Sequence, residues 1–219
     1  MAMGKMKRFG RKKKIATVRL VAPRKRVSQK QPNGILSKSM KGKLIYSQAH
    51  EGFIGVDQIY RLNSIFDPDL TNLGHQPYGR DTYATLYNRY RVDSVSYVID
   101  FACTGSTGQV VILPTNTATS IGSFGLAREH ARAVWKSAAQ YQNQRITGSI
   151  DLAKLNGVPK KTYQADDRFQ SLMGTNPAEI MCMHILAGNL ADVYTTEIYY
   201  TVTLTYHCTF YDPIELSQS

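Results

Sequence analysis

Lysine and arginine are the residues in this chain whose clustering could do chemistry, and that chemistry is the neutralisation of phosphate. Lys5, Lys7, Arg8, Arg11, Lys12, Lys13 and Lys14 form one cluster, and Arg24, Lys25 and Arg26 follow Pro23 as a second. Arg19, Lys30, Lys38, Lys41 and Lys43 fill the intervals, making fifteen bases in residues 1–43 with no Asp or Glu among them. A block of one sign repels itself, stays extended and suits a polyanion whose phosphates it neutralises with release of counterions. Short Lys/Arg-rich stretches are also what a nuclear-import receptor reads. No amphipathic pattern with large apolar anchors accompanies them, which argues against a membrane-surface role.

Other chemistry finds less support. The sequence has no G-x-x-x-x-G-K-[ST] phosphate loop, no G-x-S-x-G elbow and no H-E-x-x-H pair, so no catalytic residue is assigned and no enzyme activity is expected. His50, His75, His130, His184 and His207 are dispersed; Cys182 and His184 alternate on an apolar segment, which suits a satisfied core histidine better than a metal ligand. Neither a metal nor a cofactor is expected. Cys103, Cys182 and Cys208 lie in apolar strand-like segments and read as reduced, buried thiols. The close carboxylates Asp67-Pro68-Asp69 and Asp166-Asp167 suit turns and caps better than a calcium site, which needs six or more oxygens. Most of the fourteen Tyr and seven Phe fall on alternating positions and belong to a core, leaving Tyr78, Tyr83, Tyr87 and Tyr90, near Arg80, Arg89 and Arg91, as candidates for an interface.

The charge is divided along the chain. Of 219 residues carrying a net +11, residues 44–219 hold 12 bases against all 16 acids, a net of −4. Residues 1–43, thin in apolar side chains, are expected to be a largely disordered arm, and 44–219 a folded domain. No apolar run reaches the eighteen or so residues of a spanning helix, and the basic N-terminus lacks the apolar stretch of a secretion signal, so a soluble, unprocessed chain without membrane insertion is expected.

The domain reads as strands. Ile198, Tyr200, Val202, Leu204, Tyr206, Cys208 and Phe210 alternate with Glu197, Tyr199, Thr201, Thr203, Thr205, His207 and Thr209, predicting a long, twisted or bulged strand over residues 195–211 with one dry and one wetter face. Residues 90–104 alternate likewise, and Gly105-Ser106-Thr107-Gly108 is expected to turn them into a hairpin with 109–113. Further strands are expected within 43–60, at 145–152, and at 178–187 with apolar residues on both faces. Asp81 is placed to cap a helix over 82–88; residues 125–136 have helical composition, although 131–139 suit a strand equally. Many strands between Gly/Pro/Asn turns predict an all-β antiparallel sandwich or barrel.

Asn63-Ser64-Ile65-Phe66-Asp67-Pro68-Asp69, then Gly74-His75-Gln76-Pro77-Tyr78-Gly79 and Tyr87-Asn88-Arg89-Tyr90-Arg91-Val92, resemble the capsid proteins of small circular single-stranded DNA viruses that encode a replication initiator. The match covers about thirty residues directly, and the order of basic arm, loop-rich motif and two long strands extends it over the chain. The resemblance implies an eight-stranded antiparallel jelly roll with short helices in its loops. It also implies many copies, sixty or a multiple, closing into an icosahedral shell, with the arm directed onto single-stranded DNA. It implies no catalytic residue; Pro68, Gly74, Pro77 and Gly79 would fix a long connection between the first and second sheet strands, with His75 and Gln76 bonding within it or to a neighbour. The arm is Lys-rich as well as Arg-rich, and charge neutralisation is blind to the sugar, so the coat protein of a small RNA virus or satellite is the neighbouring expectation. A non-viral nucleic-acid-binding protein is the more distant one. A carbohydrate-binding or hydrolytic sandwich would need a converging polar pocket, and Trp135 is the only tryptophan.

Overall fold

In a computed structural model the chain divides into residues 1–33 and 34–219, and the structure describes residues 36–50, 57–70, 74–104, 107–189 and 198–215 of the second unit. Among the described residues nine strands run in order: β1 (Ser39–His50), β2 (Gln58–Arg61), β3 (Tyr87–Cys103), β4 (Gly108–Thr115), β5 (Val134–Ala138), β6 (Asn143–Asp151), β7 (Gln170–Leu172), β8 (Cys182–Asn189) and β9 (Ile198–Pro213). Four short helices lie between them: α1 (Arg80–Ala84), α2 (Phe124–Glu129), α3 (Leu152–Leu155) and α4 (Lys160–Ala165).

The strands form two antiparallel sheets, one ordered β1-β9-β3-β6 with β7 added to β3, the other β2-β8-β4-β5. Leaving out β7, eight strands are shared between two four-stranded sheets, the chain crossing from one to the other at every connection except β4 to β5, in the order that defines a jelly roll. The expected fold class is therefore the one observed.

The alternation read along β9 is the alternation built. All seven residues predicted dry, from Ile198 to Phe210, are buried, and they meet Leu44 and Tyr46 of β1 and Val95, Tyr97, Ile99 and Phe101 of β3 in one core. β9 sits between β1 and β3, paired over most of its length with both, so its backbone groups are satisfied on two sides. The bulge falls on the neighbouring strand, between Val92 and Ser94 of β3, where the Tyr163 hydroxyl of α4 donates to the Val92 carbonyl at 2.7 Å.

β4 and β8 are buried on both faces because α2 covers the second sheet: Phe124 and Ala127 pack on Val111, Leu113 and Leu186. The run at 181–187, apolar except for the buried His184, thus faces the core on one side and a helix on the other.

Several local expectations are corrected. β3 and β4 do not form a hairpin, because they belong to different sheets, β3 pairing with β6, β7 and β9 and β4 with β5 and β8. Gly108, which opens β4, is required by close approach: a Cβ would lie 2.5 Å from Cys103 Sγ and 2.9 Å from Ile198 Cδ1. No helix runs over 82–88. α1 ends at Ala84 and strand begins at Tyr87, while the position before the helix is Gly79, at φ +82°. Residues 125–136 split, with the helix ending at Glu129 and the strand beginning at Val134. The resemblance motif links β2 to β3, one strand later than expected, since the stretch expected to hold strands in pieces ends in a separate four-residue strand, Gln58–Arg61.

Candidate nucleic-acid interface

Lys5, Lys7, Arg8, Arg11, Lys12, Lys13, Lys14, Arg19, Arg24, Lys25, Arg26 and Lys30 lie outside the described residues. Lys38, Lys41 and Lys43 do not. Lys38 is exposed just ahead of β1, which begins at Ser39, so the last five residues assigned to a disordered arm are strand. Met40 and Gly42 face inward with Leu44 and Tyr46, and the same alternation turns Lys41 and Lys43 to solvent. A run read as arm from its charge alone was strand because its inward positions are apolar or small and pair in register with Phe210 and Cys208.

Lys41 and Lys43 line a hollow of about 360 Å³ together with Gly42, Asp93, Ser94, Lys160, His207 and Cys208. Lys160 opens α4, which is held beside the β3 bulge by Tyr163 and by Arg91 Nη1 donating to the Gln164 carbonyl at 3.0 Å. Asp93, the acid of the hollow, is already engaged: Arg91 Nε donates to its Oδ1 at 2.9 Å and the Thr209 hydroxyl to its Oδ2 at 2.5 Å. Three ammonium groups therefore surround a space whose carboxylate is neutralised from behind. Lysines hold phosphate as point charges on flexible stems, without the fixed geometry that would select one sequence or sugar.

Neither Lys160 nor His207 was singled out in the sequence. Lys160 is one of two adjacent lysines in a loop-like stretch, and only the α4 packing brings it to β1. His207 was placed on the wetter face of its strand, where it stands, with Nε2 3.3 Å from Ser96 Oγ.

The four tyrosines nominated for an interface divide. Tyr87 and Tyr90 are core residues, Tyr90 donating to the Thr175 carbonyl at 2.9 Å, and burial pushes its hydroxyl up to about 12. Tyr83 stacks on Phe210 at 4.1 Å between ring centroids. Tyr78 alone is open, at 93% exposure.

The resemblance motif is structural. Asn63 donates to the Glu179 carbonyl at 2.7 Å and accepts from the Met181 amide at 3.2 Å; Ser64 donates to Asn176 Oδ1 at 2.6 Å; Arg61 forms an ion pair with Asp67. His75 packs edge-on against Tyr46 at 4.7 Å, within the fold, and a Cβ on Gly74 would meet the Tyr46 hydroxyl at 2.9 Å. Asp166 caps a 3-10 turn over Asp167–Phe169 and pairs with Arg168, which holds its carboxyl below the usual carboxylate range.

His184 is the satisfied core histidine expected of it. Its Nδ1 lies 2.7 Å from Asp57 Oδ2, and its Nε2 faces Thr115 Oγ1 at 2.9 Å and the Thr117 carbonyl at 3.1 Å. Asp, His and Thr in this order form a nucleophile's constellation, but His184, Asp57 and Thr115 are all buried and the Thr115 proton is donated to the Thr117 carbonyl at 2.8 Å. The network is a tie between segments, closed to substrate. All three cysteines are buried and free, and burial pushes the Cys182 thiol up to about 12, away from the reactive thiolate. Among the described residues no cluster of three or more His, Cys, Asp or Glu could hold a metal ion, and no helix is long and apolar enough to cross a membrane.

No family model and no curated protein matches this sequence. Solved structures do. The chain is similar to Desmodium yellow mottle tymovirus at 11% identity, covering 99% of this chain and 100% of that one, with a TM-score of 0.46. Cocksfoot mottle virus matches at 9% identity, 96% and 98% coverage and a TM-score of 0.46, and a decameric BFDV capsid protein at 12%, 78% and 99%, and 0.36. Identities and scores this low leave the fold to be read from the chain's own strand order, and that order is a jelly roll with a cationic hollow on the solvent face of its β1-β9-β3-β6 sheet.

Proposed function

We propose that this chain is a viral capsid protein. Many copies, sixty or a multiple, associate symmetrically into an icosahedral shell, and the basic N-terminal residues package a single-stranded genome by charge neutralisation, without reading its sequence. The genome is DNA in preference to RNA, on the resemblance of the Asp67-to-Val92 region. The protein resides in the virion and, during infection, in the host nucleus, where the Lys/Arg clusters serve an import receptor.

One observation carries this assignment: fifteen bases without an acid run straight into the first strand of an eight-stranded jelly roll whose remaining residues carry a net of −4. A sandwich of this kind presents rigid loops and edges for symmetric contacts, and the separated charges give a particle an inner and an outer chemistry. The lysine hollow gives the domain a cationic site of its own.

The test is electron microscopy of the purified full-length protein, with the 260/280 nm absorbance ratio read on the same fraction. Uniform closed particles with a raised ratio are expected, their nucleic acid degraded by DNase after extraction; RNase sensitivity instead would reassign the genome. A dispersed small species without nucleic acid would overturn the assignment.

A further inference from the structure

We propose that the solvent face of the β1-β9-β3-β6 sheet carries a second, distinct subsite, a notch that holds one unpaired nucleobase of a single strand whose phosphates lie over the lysine hollow. The proposal rests on the packaging function above and adds to it a place on the folded domain where the strand is held.

The notch lies at the other end of the same face. A hollow of about 500 Å³ is lined by Ala49 and His50 of β1, Tyr199, Tyr200 and Thr201 of β9, Asp100 and Ala102 of β3, and Asn143 and Arg145 of β6. The register explains its shape. Ala102 is paired with both Tyr199 and Asn143, so a methyl group floors a gap walled by a phenol ring and a carboxamide. In the next row Ala49, Thr201, Asp100 and Arg145 stand side by side across four strands.

Its charges cancel, unlike those of the lysine hollow. Arg145 Nε donates to Asp100 Oδ1 at 2.6 Å and Nη2 to Oδ2 at 3.0 Å, a two-pronged pair that leaves no net charge for a phosphate. What remains is a half-exposed aromatic ring, an apolar floor and amide, carboxylate and guanidinium edges offering donors and acceptors. That combination fits the flat, polar-edged shape of a base stacked on Tyr199. A duplex keeps its bases stacked and paired, so only a single strand can enter.

Between the two hollows the face is uncharged and rich in hydroxyls. Thr201, Thr203 and Thr205 of β9 run beside Ser47 of β1 and Ser96 of β3, with Ser47 and Thr203 bonded at 3.1 Å. From Thr201 to His207 is six residues, about 20 Å at the usual strand rise, a span that about six stacked nucleotides would cover. One strand can therefore touch both ends.

The test uses the full chain and a fluorescent oligothymidylate bearing photoreactive bases. At 0.5 M salt, where the phosphate contribution is suppressed, Tyr199→Ala is expected to weaken binding about tenfold, as loss of one stacked base does. Tyr199→Phe restores it, and a duplex of the same length shows no dependence on residue 199. Cross-linked peptides are expected to include residue 199. Equal binding by the wild type and Tyr199→Ala, with cross-links confined to residues 1–35, would overturn the notch and leave packaging standing. No binding of the oligonucleotide by wild type at low salt would overturn both.

Discussion

Replacing Asp57 by Ala should cost the domain about 4 kcal/mol, more than any exposed charge could. The buried Asp57 carboxylate sits ahead of β2 and ties two segments to it, His184 Nδ1 on β8 at 2.7 Å and the part-buried Ile121 amide, in the connection from β4 to α2, which donates at 3.0 Å. His184 Nε2 on the other side of the ring already faces Thr115 Oγ1 at 2.9 Å and the Thr117 carbonyl at 3.1 Å, so the ring cannot turn to find another partner for Nδ1. Removing the carboxylate leaves His184 Nδ1 in a dry interior and the Ile121 amide both without their partner, at ~1–3 kcal/mol each. For a chain of this size each kcal/mol lowers Tm by about 2–4 °C, so a fall of about 8–16 °C is expected in thermal unfolding of the full chain at fixed concentration. Asp57→Asn keeps an oxygen for Ile121 and should lose about half as much. A loss below about 1 kcal/mol for Asp57→Ala would show that His184 is held by packing alone, and the tie between three segments would be refuted.

Other outcomes follow from the charge, the close approach at Gly108 and the core. If all fifteen bases of residues 1–43 meet phosphates, binding of single-stranded nucleic acid should fall with salt with a log–log slope of about −10; a slope near zero with folded protein would sink charge-driven packaging. Lys41→Gln, Lys43→Gln and Lys160→Gln combined should make that slope shallower by about 2, with thermal unfolding unchanged. Gly108→Val should destabilise by ~1–3 kcal/mol through overpacking against Cys103 and Ile198, read as a lower urea midpoint. Burial raises Tyr90 and Tyr211 to about 12 from the usual 10, so above pH 10 the unfolded chain releases protons that the folded one keeps, and stability should fall between pH 10 and 12. Unfolding free energies that stay flat across that window would contradict the burial of these hydroxyls.

What the sequence made legible was whatever depends on a period of two. β9 and most of β3 announce their faces residue by residue, because one side is packed and the other is wet. β4 and β8 were legible as strands, but the pairing of β3 with β4 was misjudged, because sheet membership is set by which distant strand pairs, and no local signal distinguishes a hairpin from a crossing between sheets. The interface was legible in charge and illegible in place. Lys41 and Lys43 were named for the company they keep in sequence, whereas their position on a strand follows from Gly42, Leu44 and Tyr46 pointing inward. Lys160 reaches that face only through the packing of α4, and Arg145, Asn143 and Tyr199 become neighbours only through the register of β3 with β6 and β9.

Under the proposed notch, the two ends of that face would divide the work of holding a strand. Phosphate neutralisation by lysine gives affinity that salt removes, and it cannot tell one strand from two, since every phosphate is alike. A base notch gives affinity that salt spares, and it admits only an unpaired base. A shell protein that relied on its basic residues alone would condense any polyanion. Sixty copies would concentrate about 900 positive charges, a number that by itself favours whatever nucleic acid is most abundant. Repulsion among those charges also opposes closure until a polyanion is present, so tail-intact protein should form empty shells poorly at low salt and readily once single-stranded nucleic acid is added. A notch that rejects duplex would then bias the cargo toward the single-stranded form with few additional contacts per copy. Assembly yields with single-stranded and duplex DNA of equal phosphate content should differ in the wild type and converge in Tyr199→Ala; equal yields in the wild type would place all of the selection elsewhere.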